Sequence, residues 1–154
     1  MKLIARILTI LCLLPIAGRM EVCATEPDRS MEELRSVLEK LPGNRIEADY
    51  SFKLMQGRTA VNCNGHAVLQ DKCFHVFGNG MDIYCNGQTI TYLDPDRKEA
   101  YIEDAVKLDE YVKANLDAIR DLKTSRVSSS KASDNLSEFD APELDGDWVV
   151  TDLR

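Results

Sequence analysis

The chain has 154 residues and carries 26 acidic against 19 basic side chains, a formal net charge of −7. No basic surplus is present to neutralise phosphates or anionic headgroups, which excludes partners held by positive charge, nucleic acid above all. Five cysteines, none of them after Cys85, do not make a disulfide scaffold.

Residues 1–24 read as a secretory signal peptide rather than as part of the fold. Lys2 and Arg6 make a positive start, residues 3–17 are apolar apart from Arg6, and Val22-Cys23-Ala24 supplies the small residues of a cleavage site after Ala24. The apolar run is short for a membrane span. A retained N-terminal anchor is a second reading and a lipidated Cys23 a third, but Glu21 two positions ahead makes a poor lipobox. Cleavage leaves residues 25–154 as a single domain with 25 acidic and 16 basic residues. Its cysteines are Cys63, Cys73 and Cys85, an odd set that permits at most one bridge.

In chain order, Ser30 and Glu33 fit a capping box, and Leu34, Val37, Leu38 and Leu41 share one face before Pro42-Gly43, which predicts a helix over 30–41. The period then changes to two. Ile46, Ala48, Tyr50, Phe52 and Leu54 alternate with polar neighbours across 45–55, the pattern of a strand with one wet face. Two-residue turns at Gln56-Gly57, Gln70-Asp71, Asn79-Gly80 and Asn86-Gly87 thread the following residues as a meander. In that threading Phe52 lies opposite Val61, Ala67 opposite Phe74, and Ile83 opposite Val76 and Ile90. A longer turn at 94–97 then brings Tyr92 near Ala100 and Ile90 near Ile102. All these apolar side chains fall on one face. Glu47, Asp49, Lys53, Asn62, Asn64, His66, His75, Asp82, Thr89, Thr91 and Glu103 fall on the other, and a one-residue slip would mix the two sets. Cys73 is placed on the polar face and Cys85 on the apolar one, so they do not bond in this register.

Residues 104–123 carry Val106, Leu108, Tyr111, Val112, Leu116, Ile119 and Leu122 at helical spacing and predict a second helix. Residues 124–134 are polar and Ser-rich and read as a loop. Trp148-Val149-Val150 predicts a last strand, with Trp148 as an anchor.

Chemistry-bearing motifs are few. Cys63, His66, Cys73 and His75 have the wrong spacing for a zinc finger and are split between faces. The two histidines lack a third group to orient them as catalytic bases, the carboxylates are scattered over wet faces, and no Gly-rich phosphate loop is present. The expectation is a protein that is not an enzyme and needs neither metal nor cofactor. The apolar sheet face must be covered. Either the helices cover it permanently as an ordinary core, or they form a lid over a groove that takes an apolar ligand.

The leading helix and long first strand, then Gly65, Lys72-Cys73-Phe74-His75-Val76, the stretch Tyr84-Cys85-Asn86-Gly87-Gln88-Thr89-Ile90-Thr91-Tyr92-Leu93-Asp94, and Lys98-Glu99-Ala100-Tyr101-Ile102 resemble the outer-membrane lipoprotein carrier (LolA-like) family over about 30–103. The resemblance implies an α+β fold: a curved antiparallel sheet, an incomplete β-barrel, with helices covering its apolar concave face. It implies a periplasmic chaperone that shelters lipoprotein acyl chains for transfer toward the outer membrane without covalent chemistry, acting as a monomer between an inner-membrane release complex and an outer-membrane acceptor. The groove would be lined by Ile46, Tyr50, Phe52, Val61, Phe74, Val76, Met81, Ile83, Ile90, Tyr92 and Ile102, with Leu108, Val112, Leu116 and Ile119 as the lid. The chain is shorter than typical carriers, which implies a smaller groove. A non-carrier envelope protein of the same fold, acting through protein contacts, is the alternative.

Overall fold

Alternating side chains become a ladder only where turns set the register, and here the turns use residues that tolerate positive φ. The computed structural model describes residues 27–114 and 118–154, so the signal peptide expected over 1–24 lies outside the described residues. The helix α1 (Pro27–Leu38) is followed by six strands: β1 (Asn44–Gln56), β2 (Thr59–Gln70), β3 (Cys73–Gly78), β4 (Met81–Cys85), β5 (Thr89–Asp94) and β6 (Glu99–Asp104). Then come the short helix α2 (Leu108–Ala114), strand β7 (Ile119–Lys131), a 3-10 turn (Ser137–Phe139) and β8 (Val149–Asp152). The fold is α+β, with one large, curved, unclosed sheet in the order β7-β1-β2-β3-β4-β5-β6-β8. All neighbours are antiparallel except β6 and β8, which run parallel.

The β3–β4 hairpin has the expected register, with Val76 opposite Ile83 and Asn79 and Gly80 both at positive φ (54° and 76°). Three other hairpins are displaced by two residues: Phe52 faces Cys63, Ala67 faces Val76 and Ile83 faces Tyr92. In each the residue with positive φ, Gly57 (62°), Asp71 (53°) or Gly87 (87°), moves to the first turn position. There its backbone matches the strand twist, whereas at the second position it would splay the strands. A shift of two leaves every side chain on its predicted face. The cysteines keep their faces too, and Cys63, Cys73 and Cys85 are buried and unbonded.

The β5–β6 hairpin slips by one residue and does exchange faces. Tyr92 pairs with Tyr101 and Ile90 with Glu103, while Ala100 and Ile102 join Leu93 and Thr91 on the second face. The cause is a four-residue loop between Asp94 and Glu99, in which the Asp94 carboxylate accepts from the Arg97 amide at 3.0 Å and Lys98 takes φ 54°.

The helix expected over 104–123 is confined to α2, and both its later part and the predicted Ser-rich loop over 124–134 belong largely to β7. The 13-residue β1 needs a partner on its free edge, and β7 supplies one along residues 44–54. Two bulges, near Asp121 (φ 53°) and Arg126 (φ 48°), erase the period of two that would have marked this strand.

The capping box is also replaced. The helix already contains Pro27, and Ser30 and Glu33 act outward: Ser30 Oγ accepts from the Leu122 amide at 3.2 Å, and a Glu33 carboxylate oxygen accepts from the Thr124 amide at 2.9 Å. The outer edge of β7 is thereby closed by two helix side chains.

The main core lies on the first face, where Ile46, Leu69, Phe74, Cys85, Ile90 and Tyr92 pack with Val37 of α1. Leu41, Ala105 and Val106 complete its cover. The second face, expected to be wet throughout, is crossed by residues 132–148. This strap buries Phe139 completely against Val68 and Cys73.

Candidate functional site

The predicted groove residues divide along the first face by how far they are covered. Ile46, Phe74, Ile90 and Tyr92 are no more than 2% exposed and belong to the core that includes Val37 of α1. Tyr50, Phe52, Val76, Met81 and Ile83 are half-buried, and Val61 is 39% exposed. Cover along β1 and β2 is uneven: half-buried Tyr50 and Phe52 lie between buried Ala48 and Leu54, Cys63 opposite Phe52 is buried, and Val61 opposite Leu54 is exposed, where the long β1–β2 hairpin runs past the end of β3. Ile102 stands apart on the second face.

Of the lid residues, Ile119 opens β7 opposite Leu54 and is part of the sheet, not of a helix. Leu108 and Val112 fall in α2, but their side chains, like the whole of Leu116, lie outside the described residues. Among the described residues, α1 contributes Val37 to the Ile46 end of the face and reaches β7 at Leu122 and Thr124 through Ser30 and Glu33.

Beside Tyr50 sits a glycine pair, Gly65 and Gly78, whose role the sequence did not announce. A Cβ on Gly65 would collide with the Phe77 carbonyl and the Tyr50 ring, and one on Gly78 with the Asn64 carbonyl and Gly65 Cα. The empty space lets Tyr50 lie across β2 and donate from its hydroxyl to the Phe77 carbonyl on β3 at 3.3 Å. Burial pushes the Tyr50 phenol up to about 12, with Cys63 and Asp82 adding to the effect. Phe52 stacks beside Tyr50 at 5.9 Å. Asn79 then closes the exposed backbone of β2, its side-chain amide donating to the Asn64 carbonyl at 3.0 Å and accepting from the Asn64 amide at 3.3 Å. A glycine opposite an aromatic residue was the available sequence signal.

A cleft of about 300 Å³ opens at the Ile46 end of the face, between α1, the β2–β3 turn and α2. Leu38, Leu41, Leu69 and Phe74 line it together with Lys72, Lys107, Asp71 and Asp109, so it joins apolar surface to charges of both signs.

The residues weighed as metal ligands are dispersed. His66 binds Asp49 through Nδ1 at 2.8 Å, and Asp49 also meets Arg126 at 3.3 Å. His75 stacks on Tyr84 at 4.1 Å, and burial pushes the Cys63, Cys73 and Cys85 thiols up. Among the described residues no group of three or more His, Cys, Asp or Glu side chains is placed to hold a metal ion. No described helix is long and apolar enough to cross a membrane.

No family model matches the chain, and no curated protein matches it.

Proposed function

We propose that this protein is a carrier of the LolA-like kind, which shelters lipid or lipoprotein acyl chains on its apolar sheet face in the periplasm. The observation that carries the reading is a partly covered apolar patch on that face, half-buried Tyr50, Phe52, Val76 and Ile83 with exposed Val61, beside a sealed core at Ile46 and Ile90 and around buried Leu54 and Cys63. An acyl chain laid there would gain about 0.8 kcal/mol for each CH₂ removed from water. Aromatic and aliphatic side chains can supply such a surface without hydrogen bonds, and the bond Tyr50 makes to Phe77 keeps its polar tip off the ligand.

A second reading draws on the packing of Phe74, Ile90 and Tyr92, which are already fully covered from within the chain. An envelope protein of the same fold, with its face filled by its own residues, would act through protein contacts instead.

Titration of residues 25–154 with a fluorescent apolar probe, followed by extraction of a diacylated lipoprotein from membranes, separates the two. Saturable binding that falls at least tenfold in folded Phe52→Glu or Ile83→Glu protein is the result expected of a carrier. Cooperative unfolding without probe binding or extraction would sink the carrier reading and leave the second.

A further inference from the structure

The strap over the second face, residues 132–148, is held at four points. Gln70 clamps Ser133, donating to its carbonyl at 2.5 Å and accepting from its amide at 3.0 Å. Arg45 pairs with Glu138, Asn86 donates to the Asp140 carboxylate at 2.9 Å, and Phe139 is buried on Val68 and Cys73. Those last two residues frame His75: Val68 is its cross-strand partner, and Cys73 lies two residues before it on the same face.

The His75 ring is packed between Tyr84, at 4.1 Å and nearly parallel, and Phe77, at 4.8 Å. Its Nε2 is buried and has no hydrogen-bond partner. A neutral imidazole can leave one nitrogen bare, but the imidazolium carries a proton on both and must then place a buried N–H⁺ where no acceptor stands.

We infer that the strap is an acid-sensitive latch whose catch is His75, so that protonation of its imidazole unseats Phe139 and lifts residues 132–148 from the second face. The charged groups around the ring come from three elements. Asp82 on β4 and Glu138 on the 3-10 turn favour the cation, and His66 on β2 opposes it. Both aids are weakened by geometry: Glu138 is engaged by Arg45, and Asp82 lies on the Phe77 pair two rungs along the ladder from His75. Burial prevails and lowers the His75 pKa from its ordinary 6.5.

The sign follows by linkage. Below pH 6.5 an open strap lets His75 take up a proton that the closed form refuses. The opening equilibrium therefore rises by up to about tenfold per pH unit until the closed form titrates as well, and then levels off. Opening would expose Val68 and Cys73 and so extend the already exposed Phe77 into a larger apolar surface on the side of the sheet away from the groove.

The test uses the full chain and its His75→Phe variant, which keeps an aromatic ring but cannot titrate. Hydrogen exchange at the Phe139 amide, bonded to the Leu136 carbonyl at 3.0 Å, is compared between the two proteins at the same pH, so that intrinsic exchange rates cancel. Emission of Trp148, the sole tryptophan, follows the strap independently. The ratio of protection should change with the slope above from pH 6.5 downward and stay flat above it, while amides of β5 remain protected in both. An unchanged ratio between pH 8 and pH 5, or β5 amides lost together with Phe139, would overturn the latch. Should His75→Phe fail to fold, direct NMR titration of His75 decides, since a midpoint at or above 6.5 removes the driving force.

Discussion

Tyr50 and Gly65 form one unit, because the tyrosine ring occupies the space that any side chain at position 65 would need. Gly65→Ala should cost about 1–3 kcal/mol by overpacking, seen as a lower urea midpoint, and Tyr50→Phe about 0.5–1.5 kcal/mol for the lost bond to Phe77. Alkaline stability tests the burial of the same phenol. Its folded pKa of about 12 lies above the ordinary 10.0, so the unfolded chain loses the proton first. Stability is complete below pH 10 and falls as the pH rises toward 12, and Tyr50→Phe should flatten that fall in unfolding experiments. Phe139 gave no sign of its importance within the sequence, since nothing local marks it as core. It is fully buried, and Phe139→Ala should lose about 3–5 kcal/mol, read from the same denaturation curves.

At the scale of elements, the edge of β7 is the feature that most needs its neighbours. The Leu122 and Thr124 amides point away from β1 and end on Ser30 and Glu33 of α1. Replacing both acceptors, Ser30→Ala with Glu33→Ala, should raise hydrogen exchange at these two amides before it affects β2 or β5, and should lower stability by about 1–3 kcal/mol. The sequence pattern placed Ser30 and Glu33 as a helix cap, which is the role that i, i+3 spacing suggests. Their use on a strand 91 or 92 residues away is invisible to local pattern. The same limit applies to β7 itself: residues 104–123 have helical periodicity, but an unpaired β1 edge and two bulges outweigh it. In contrast, β1 to β4 were legible because period-two alternation survives a register shift of two.

For the molecule as a whole, the sheet protects three thiols at once. Cys63, Cys73 and Cys85 lie on two faces and are each no more than 6% exposed, with burial raising every thiol pKa. Alkylation mapped by mass spectrometry should leave all three largely unmodified in native protein and modify all three in denaturant. Modification of Cys73 alone in native protein would point instead to an open strap, since Phe139 covers it.

By itself the sequence determined the hairpin chain β1 to β6, the separation of Cys73 from Cys85, and the apolar character of one face, because each depends on neighbours at fixed spacing. It could not determine what covers that face. The tertiary structure decided that β7 joins β1, that residues 132–148 cross the opposite side, and that Ile102 turns away from the groove. Those outcomes depend on unpaired backbone groups and buried area brought together from distant parts of the chain, which no local period records.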